Sequence, residues 1–246
     1  GDVDLVPLTF PEGLTIAEMS RAFEGGGFGT AASFVAAARD ASLVRALDPA
    51  APNLEGYLFP DTYALSRRAD APQVVRAMVA RFEQVWSGDV RAAAQARGLS
   101  VRQLVTLASL VEKETARPDE RPLVAAVYTN RLRIGMGLQC DPTVIYALQL
   151  AGAFNGNLRR DDLAFDSPYN TYKYAGLPPG PIAAPGKGSL EAAARPADAP
   201  YLYFVSRNDG SHEFATSLEE HNRNVRKYQV QYFRERRAGG AGRPGR

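Results

Sequence analysis

The segment from Ser100 to Thr115 is the feature that most restricts how this chain can fold. Ser100 and Gln103 match a capping box, and the leucines at 99 and 104 can form the hydrophobic staple that accompanies it. Apolar residues then recur at three- and four-residue spacing, which predicts an amphipathic helix that ends before Arg117-Pro118. One face of this helix is therefore expected to be buried and the other to face water.

Two glutamates occupy unusual positions on this helix. At 100° per residue from Val101, the apolar side chains form an arc from about 240° round to about 40°, with Glu112 inside it at about 20° and Glu114 on its border at about 220°. A carboxylate directed into an apolar sector loses hydration, which raises its pKa. That property suits a general acid. Alternatively, Glu112 forms a structural ion pair with an arginine such as Arg131 or Arg133.

Composition restricts the class of protein. The chain has 246 residues, of which 45% are hydrophobic and 23% charged, which excludes a disordered tail, a collagen-like fibre and a disulfide scaffold. Cys140 is the only cysteine, so no intrachain disulfide can form.

The longest nearly apolar run, residues 143–154, is too short to span a membrane. The chain begins at Gly1 without a methionine, and we interpret it as a piece of a longer protein.

The charge is concentrated at the C-terminus. The formal net charge is +2, yet residues 231–246 hold five arginines against one glutamate. The rest of the chain is therefore slightly acidic. A short basic tail without interleaved aromatic residues argues against a nucleic-acid partner.

The periodicities predict an α+β fold. A mainly helical domain with a β-hairpin or small sheet, residues 53–230, follows a small unit at 1–52 and precedes a disordered basic tail at 231–246. We expect helices over 16–24, 31–47, 71–97, 100–115, 122–132, 141–150, 189–195 and 218–236, and hairpin strands over 201–206 and 212–216. Residues 166–188 lack a period but are rich in aromatics and prolines, which favours an ordered functional loop.

Other chemistry-bearing residues give weaker signals. His212 on the hairpin and His221 on the last helix are more often surface or packing residues than catalytic ones. No cluster has metal-ligand spacing, so we expect no metal. Tyr169 and Tyr172, which flank Asn170, suit sugar stacking and hydroxyl recognition.

The sequence LASLVEKET at 107–115 resembles the endolytic murein transglycosylase family, also called MltG or YceG-like proteins. The resemblance continues in order through further blocks. They are residues 55–63 (EGYLFPDTY), 130–132 with 135–136, 138–139 with 141–144, 169–172 continuing into 176–182, and 201–205 with 212–222. Residues 11–13 resemble, less specifically, part of a small LysM-like subdomain. Cys140 departs from the pattern, since the family more usually has a small hydroxyl residue there.

The resemblance implies a lytic transglycosylase that needs no cofactor. The first glutamate of its Val-Glu-Lys-Glu motif is Glu112, which we assign as the catalytic acid and later base. It would act on the β-1,4 bond between N-acetylmuramic acid and N-acetylglucosamine and leave 1,6-anhydro ends. The expected substrate-binding residues are Gln139, Asp141, Tyr169, Asn170 and Tyr172, and the expected supporting residues are Ser109, Glu114, Asn130 and Arg131.

The resemblance also implies a location and partners. An N-terminal transmembrane helix outside this sequence would anchor the protein, with the catalytic domain on the outer, periplasmic side of the bacterial cytoplasmic membrane. The substrate would be nascent peptidoglycan glycan strands, whose polymerisation the enzyme would terminate. The expected protein partners are peptidoglycan synthases and proteins of the divisome or elongasome.

Three alternatives remain open at this point. A lysozyme-like hydrolase would use Glu114 or Asp141 as a second carboxylate. A non-catalytic glycan-binding or divisome scaffold protein would need no acid at Glu112. The aminodeoxychorismate lyase label that has been attached to this family would require pyridoxal phosphate on a lysine.

Overall fold

The structure is a computed structural model that describes residues 5–86 and 88–234. It is an α+β fold, as the sequence predicted, and it has two small antiparallel sheets where the sequence predicted one. The elements are β1 Leu5–Thr9, α1 Ile16–Gly25, α2 Ala31–Ala38, β2 Thr62–Ser66, α3 Ala71–Trp86, α4 Asp89–Ala96, α5 Val101–Glu114, α6 Arg121–Arg133, α7 Asp141–Leu150, α8 Lys187–Ala194, β3 Tyr203–Ser206, β4 His212–Ala215 and α9 Leu218–Val225. A π-helical turn, Arg226–Gln231, continues α9.

A β-α-α-β unit begins the fold. β1 pairs with β2 so that Leu5 lies opposite Ser66 and Thr9 opposite Thr62. The two strands lie on opposite sides of the domain boundary that the sequence placed at residue 52, so the sheet joins the two predicted domains. The sequence pattern predicted neither strand. Pro7 lowers the strand propensity of β1, and its partner strand is far away in the chain. Phe10, Phe23 and Phe34 fill the interior of this unit, and their side chains continue into the core of the larger helical part.

Helix α5 passes through the core of the larger part. Ser100 Oγ accepts a hydrogen bond from the Gln103 backbone N–H, and Gln103 Oε1 accepts one from the Ser100 backbone N–H, so the predicted capping box is confirmed. Leu104 and Val111 are fully buried. The helix packs against α8, α6, α7 and α4.

Several predicted boundaries were wrong for local reasons. The helix expected over 71–97 is divided into α3 and α4 at Gly88, whose φ of 69° lies in the left-handed region. Helix α2 ends at Ala38, before a short 3₁₀ turn. Helix α8 begins at Lys187, because Gly186 and not Ser189 is its N-cap. In the segment predicted to be a disordered tail, residues 231–234 are helical and 235–246 lie outside the described residues.

The segment 166–186 has no regular secondary structure, as predicted, and contacts with α5 and the N-terminal unit hold it. The Ile182 N–H donates to Ser109 Oγ at 3.1 Å. Gly13 and Ala184 join the N-terminal turn to this segment through the hydrogen bonds Gly13 N–H to Ala184 O and Ala184 N–H to Leu14 O, both 2.8 Å. Across residues 5–86 and 88–234, no helix combines the length and the apolar character that a membrane crossing requires.

Candidate functional site

A polar cavity of about 260 Å³ opens at the C-terminal end of α5. Parts of α5, α6, the loop before α7, the start of α7, the 166–186 segment, β3 and α9 converge there. The lining residues are Glu114, Tyr128, Arg131, Leu138, Gln139, Asp141, Tyr172, Phe204 and His221. Five of them are residues that the sequence proposed for substrate binding or support, so the structure brings these together.

Glu114, the last residue of α5, is the partly buried acid of this cavity. Its Oε1 accepts hydrogen bonds from Tyr128 Oη at 2.7 Å and from Cys140 Sγ at 3.1 Å. Burial raises the pKa of Glu114 above its usual range, and the two donors only partly oppose that rise. Within the described part of the chain, neither donor reaches Oε2. Glu114 itself is one of the residues that line the cavity.

Asp141 and Tyr172 form the opposite wall. Tyr172 Oη donates to Asp141 Oδ1 at 2.6 Å, and 37% of the Tyr172 surface is exposed. Burial of its hydroxyl, followed by this hydrogen bond, raises the pKa of Tyr172, so the phenol stays neutral and can donate. Gln139 has a φ of 49°, a left-handed conformation that is uncommon outside glycine and is found at functional sites.

Arg131 and Asn130 hold the cavity walls together. Arg131 donates to Leu202 O at 2.6 Å and to Leu138 O at 2.8 Å, and its guanidinium lies 5.2 Å from the centre of the Tyr203 ring. Asn130 donates to two backbone carbonyls just before β3. These contacts connect α6 to the hairpin and to the loop before α7.

Glu112 lies on a different side of α5 from Glu114. Its side chain is 6% exposed, as the apolar arc predicted, but its Oε2 accepts from Ser189 Oγ at 2.6 Å and from the Gly186 N–H at 3.0 Å. Its Oε1 lies 3.5 Å from Arg121 Nη2. An arginine is therefore nearby, as the alternative reading proposed, but it is Arg121 rather than Arg131 or Arg133.

Three other expected site residues point away from the cavity. Asn170 is fully buried and its amide donates to the carbonyls of Leu163 and Phe165 at 3.0 and 2.7 Å. Tyr169 packs edge-on against the Tyr146 ring, with centroids 5.0 Å apart. Ser109 is fully buried and is already bonded to the Ile182 N–H. The structure thus uses Asn170 and Tyr169 to shape the loop that carries Tyr172.

Four lining residues were not predicted as site residues: Tyr128, Leu138, Phe204 and His221, the last of which was expected to be a surface or packing residue. Tyr128 and Phe204 pack edge-on, with ring centroids 6.1 Å apart. His221 stacks on Tyr203, with centroids 5.1 Å apart, and burial lowers its pKa. Only the spacing of Tyr128 from Arg131 on one predicted helix could have suggested that the two share a face. Among the described residues, no three His, Cys, Asp or Glu side chains are grouped so as to bind a metal ion.

Comparison with known proteins gives a consistent result. The model of the YceG-like family matches residues 2–227. The chain is 40% identical to the endolytic murein transglycosylase of Bacillus subtilis (strain 168), in an alignment that covers 71% of this chain and 48% of that protein. It is 33% identical to the endolytic murein transglycosylase of Streptococcus pneumoniae serotype 2 (strain D39), over 91% of this chain and 45% of that protein.

A solved structure is also similar. The crystal structure of a yceG-like protein from Listeria monocytogenes superposes with a TM-score of 0.79 at 35% identity, covering 88% of this chain and 75% of that one. The chain spans about half the length of the two curated relatives above.

Proposed function

Because this chain belongs to the YceG-like family, we propose that it contains the catalytic part of an endolytic murein transglycosylase, which cleaves peptidoglycan glycan strands within the strand. The observation that carries the proposal is the cavity around Glu114. It combines a buried carboxyl of raised pKa with the exposed polar groups of Gln139, Asp141 and Tyr172. A general acid needs this combination of a retained proton and open access to substrate.

One carboxyl group is sufficient to carry out the proposed reaction. Protonated Glu114 donates its proton to the glycosidic oxygen between N-acetylmuramic acid and N-acetylglucosamine, and the bond from that oxygen to C1 of the muramoyl residue breaks. The Glu114 carboxylate then accepts the proton of the muramoyl 6-hydroxyl while that oxygen bonds to C1. The products are a 1,6-anhydro end and a free 4-hydroxyl, and no water is consumed. The nucleophile is intramolecular, so a second carboxylate is unnecessary.

Neighbouring groups would stabilise the positive charge that develops on the sugar as the glycosidic bond breaks. Asp141 is held towards Tyr172 by their 2.6 Å hydrogen bond, and its negative charge is available to stabilise positive charge that develops at C1. Gln139 offers a neutral donor for sugar hydroxyl or acetamido oxygens, and Tyr172 Oη, which donates its own proton to Asp141, can accept from a sugar hydroxyl. Arg131 fixes the walls through backbone carbonyls, which is a positioning role.

Glu114 is a better candidate for the general acid than Glu112, the residue assigned from the resemblance. The oxygens of Glu112 already face Ser189, the Gly186 N–H and Arg121, so this carboxylate acts as an acceptor that ties α8 to α5. Glu112 remains the competing assignment, and comparison of the two glutamine variants separates them.

Product chemistry tests the reaction class. Purified glycan strands digested with the protein should yield 1,6-anhydro-N-acetylmuramic acid ends by mass spectrometry. Reducing N-acetylmuramic acid ends would instead support a lysozyme-like hydrolase, an alternative favoured by the presence of Asp141 in the same cavity. A protein that leaves strands intact would fit a glycan-binding scaffold. Absorbance of a bound pyridoxal phosphate would favour the lyase alternative.

The finer expectations belong to the same proposal. The β-α-α-β unit, which begins with β1 at Leu5 and closes with β2, would be the LysM-like subdomain that the sequence placed at 1–52. The domain would act at the outer face of the cytoplasmic membrane, anchored by a segment outside this sequence, and would terminate strand polymerisation beside peptidoglycan synthases. Family membership supports these expectations. Cell fractionation and co-purification with synthases from cells that carry the full-length protein would test them.

A further inference from the structure

A second cavity, of about 270 Å³, lies where the N-terminal unit meets the larger helical part. We call it the seam cavity. Helix α1 contributes Glu18 and Arg21 to its wall, and the end of α7 and the following turn contribute Gln149 and Phe154. Glu55, from the segment that joins the two parts, lies against it. The seam cavity shares no lining residue with the cavity around Glu114.

Glu55 is the most unusual group in the seam cavity. Its carboxyl accepts from the Ile16 N–H at 3.1 Å and from Tyr146 Oη at 3.2 Å, so it joins α1 to α7. Burial raises the pKa of Glu55 to about 8, and the carboxyl therefore carries a proton near neutral pH. A protonated carboxyl can donate to a neutral oxygen, such as a carbonyl or hydroxyl, and does not repel it.

The rest of the wall also favours a neutral ligand with one apolar face. Glu18 and Arg21 bear opposite charges, and the Glu18 carboxylate is engaged by the Thr15 N–H at 2.8 Å. Phe154 and Leu150 supply apolar surface, and Leu150 is 62% exposed. A few polar groups placed on a mainly apolar wall are typical of small-ligand sites. A pyranose ring has an apolar face and a rim of hydroxyl groups, and an N-acetyl substituent adds a carbonyl acceptor.

Helix α7 connects this cavity to the candidate active site. Asp141, the first residue of α7, lines the first cavity, and Gln149, in the last turn of α7, lines the second. The helix rise of 1.5 Å per residue separates the two positions by about 12 Å, a distance that a short piece of an extended glycan can bridge. A strand engaged at Glu114 could therefore also be held at the seam.

We propose that the seam cavity is a second subsite for neutral N-acetylhexosamine residues of the glycan strand, with Glu55, Gln149 and Phe154 as its binding groups. This inference rests on the proposed function for the identity of the strand. Residues of α1 and α7 both line the seam cavity. A sugar bound there would therefore give the N-terminal unit a direct part in substrate binding. Its part would be to hold the strand at a distance from the bond that is cleaved.

The test uses tetra-N-acetylchitotetraose as the probe and amide NMR shifts of the protein as the readout. Mass spectrometry first confirms that the probe remains intact. We expect shifts in residues 15–21 and 146–154, and about tenfold weaker binding at the seam in Phe154→Ala. Gln149→Ala, an exposed position, should also weaken binding. Phe233→Ala is the matched control, since Phe233 is 43% exposed and lines neither cavity.

Three results would overturn the inference. The first is that the probe shifts only amides near Gln139 and Tyr172. The second is that wild type and both seam variants bind the probe with equal affinity. The third is that a free stem peptide shifts the seam amides and the oligosaccharide does not. The last would identify a peptide site. The probe measures binding alone. Seam binding without anhydro products from glycan strands would refute the proposed function only, whereas anhydro products without seam binding would refute this inference only.

Discussion

Removal of the Tyr128 hydroxyl should change the pH dependence of strand cleavage. In Tyr128→Phe, Glu114 loses the 2.7 Å hydrogen bond to its Oε1, while the ring keeps its edge-on contact with Phe204. That hydrogen bond favours the ionised carboxylate and holds the pKa of Glu114 lower than burial alone would. Its loss therefore raises this pKa further.

The size of the change follows from the energy of the hydrogen bond. A hydrogen bond to a charged group contributes about 1.5–3 kcal/mol, and 1.36 kcal/mol corresponds to one pKa unit. The pKa of Glu114 therefore rises in the variant, because its ionised form loses this stabilisation. The general acid must be protonated to act, so activity is lost as pH rises through its pKa. This alkaline limb of the kcat/KM profile should move to higher pH by about 1–2 pH units.

The assay is the rate of anhydro-end formation as a function of pH for wild type, Tyr128→Phe and a matched control. Tyr57→Phe is that control, because Tyr57 is also buried and donates to a carboxylate, Asp48, at 2.6 Å, but does not line the candidate site. An alkaline limb that stays in place in Tyr128→Phe, or that moves equally in Tyr57→Phe, would refute the role of Glu114 as the acid.

Three further changes test other parts of the structure. Cys140→Ser replaces the thiol donor to Glu114 by a stronger hydroxyl donor, so the alkaline limb should move to lower pH; an upward or absent shift would contradict this. The folded protein holds a proton on Glu55 between its ordinary pKa of 4.5 and about 8, so stability should fall as pH rises across that window, by up to about 1.4 kcal/mol per pH unit. Denaturant unfolding should show this slope in wild type and not in Glu55→Gln. Gly56→Ala should destabilise by more than about 1 kcal/mol, because φ is +82° and side chains crowd the site. Gly88→Ala, with positive φ but open space, should cost less in thermal unfolding.

The parts of the fold that local sequence determines were predictable. The capping box at Ser100 and the amphipathic period fixed the start and the buried face of α5, and the turn at 208–210 fixed the hairpin. β1 and β2 were missed because a short strand that contains Pro7 acquires its identity from a partner more than 50 residues away. Such pairing leaves no signal in either segment alone.

The candidate site could be predicted only in part for the same reason. The helical wheel placed Glu112 in an apolar sector and Glu114 at its border, but the wheel describes one helix. The two groups that donate hydrogen bonds to Glu112, at Gly186 and Ser189, lie more than 70 residues away in the sequence. The cavity around Glu114 is built by elements from α6 to α9. In an irregular loop, residues only two positions apart also differ in exposure, so Asn170 is buried whereas Tyr172 is exposed.

The most direct test compares Glu114→Gln with Glu112→Gln in the release of 1,6-anhydro ends from purified glycan strands. Circular dichroism and thermal unfolding of both variants establish that each is folded. We expect Glu114→Gln to lose about 10²–10⁴-fold in kcat, the usual contribution of a general acid, and folded Glu112→Gln to lose far less. Near-wild-type cleavage by Glu114→Gln, with loss of cleavage in a folded Glu112→Gln, would contradict the assignment of Glu114 as the catalytic acid.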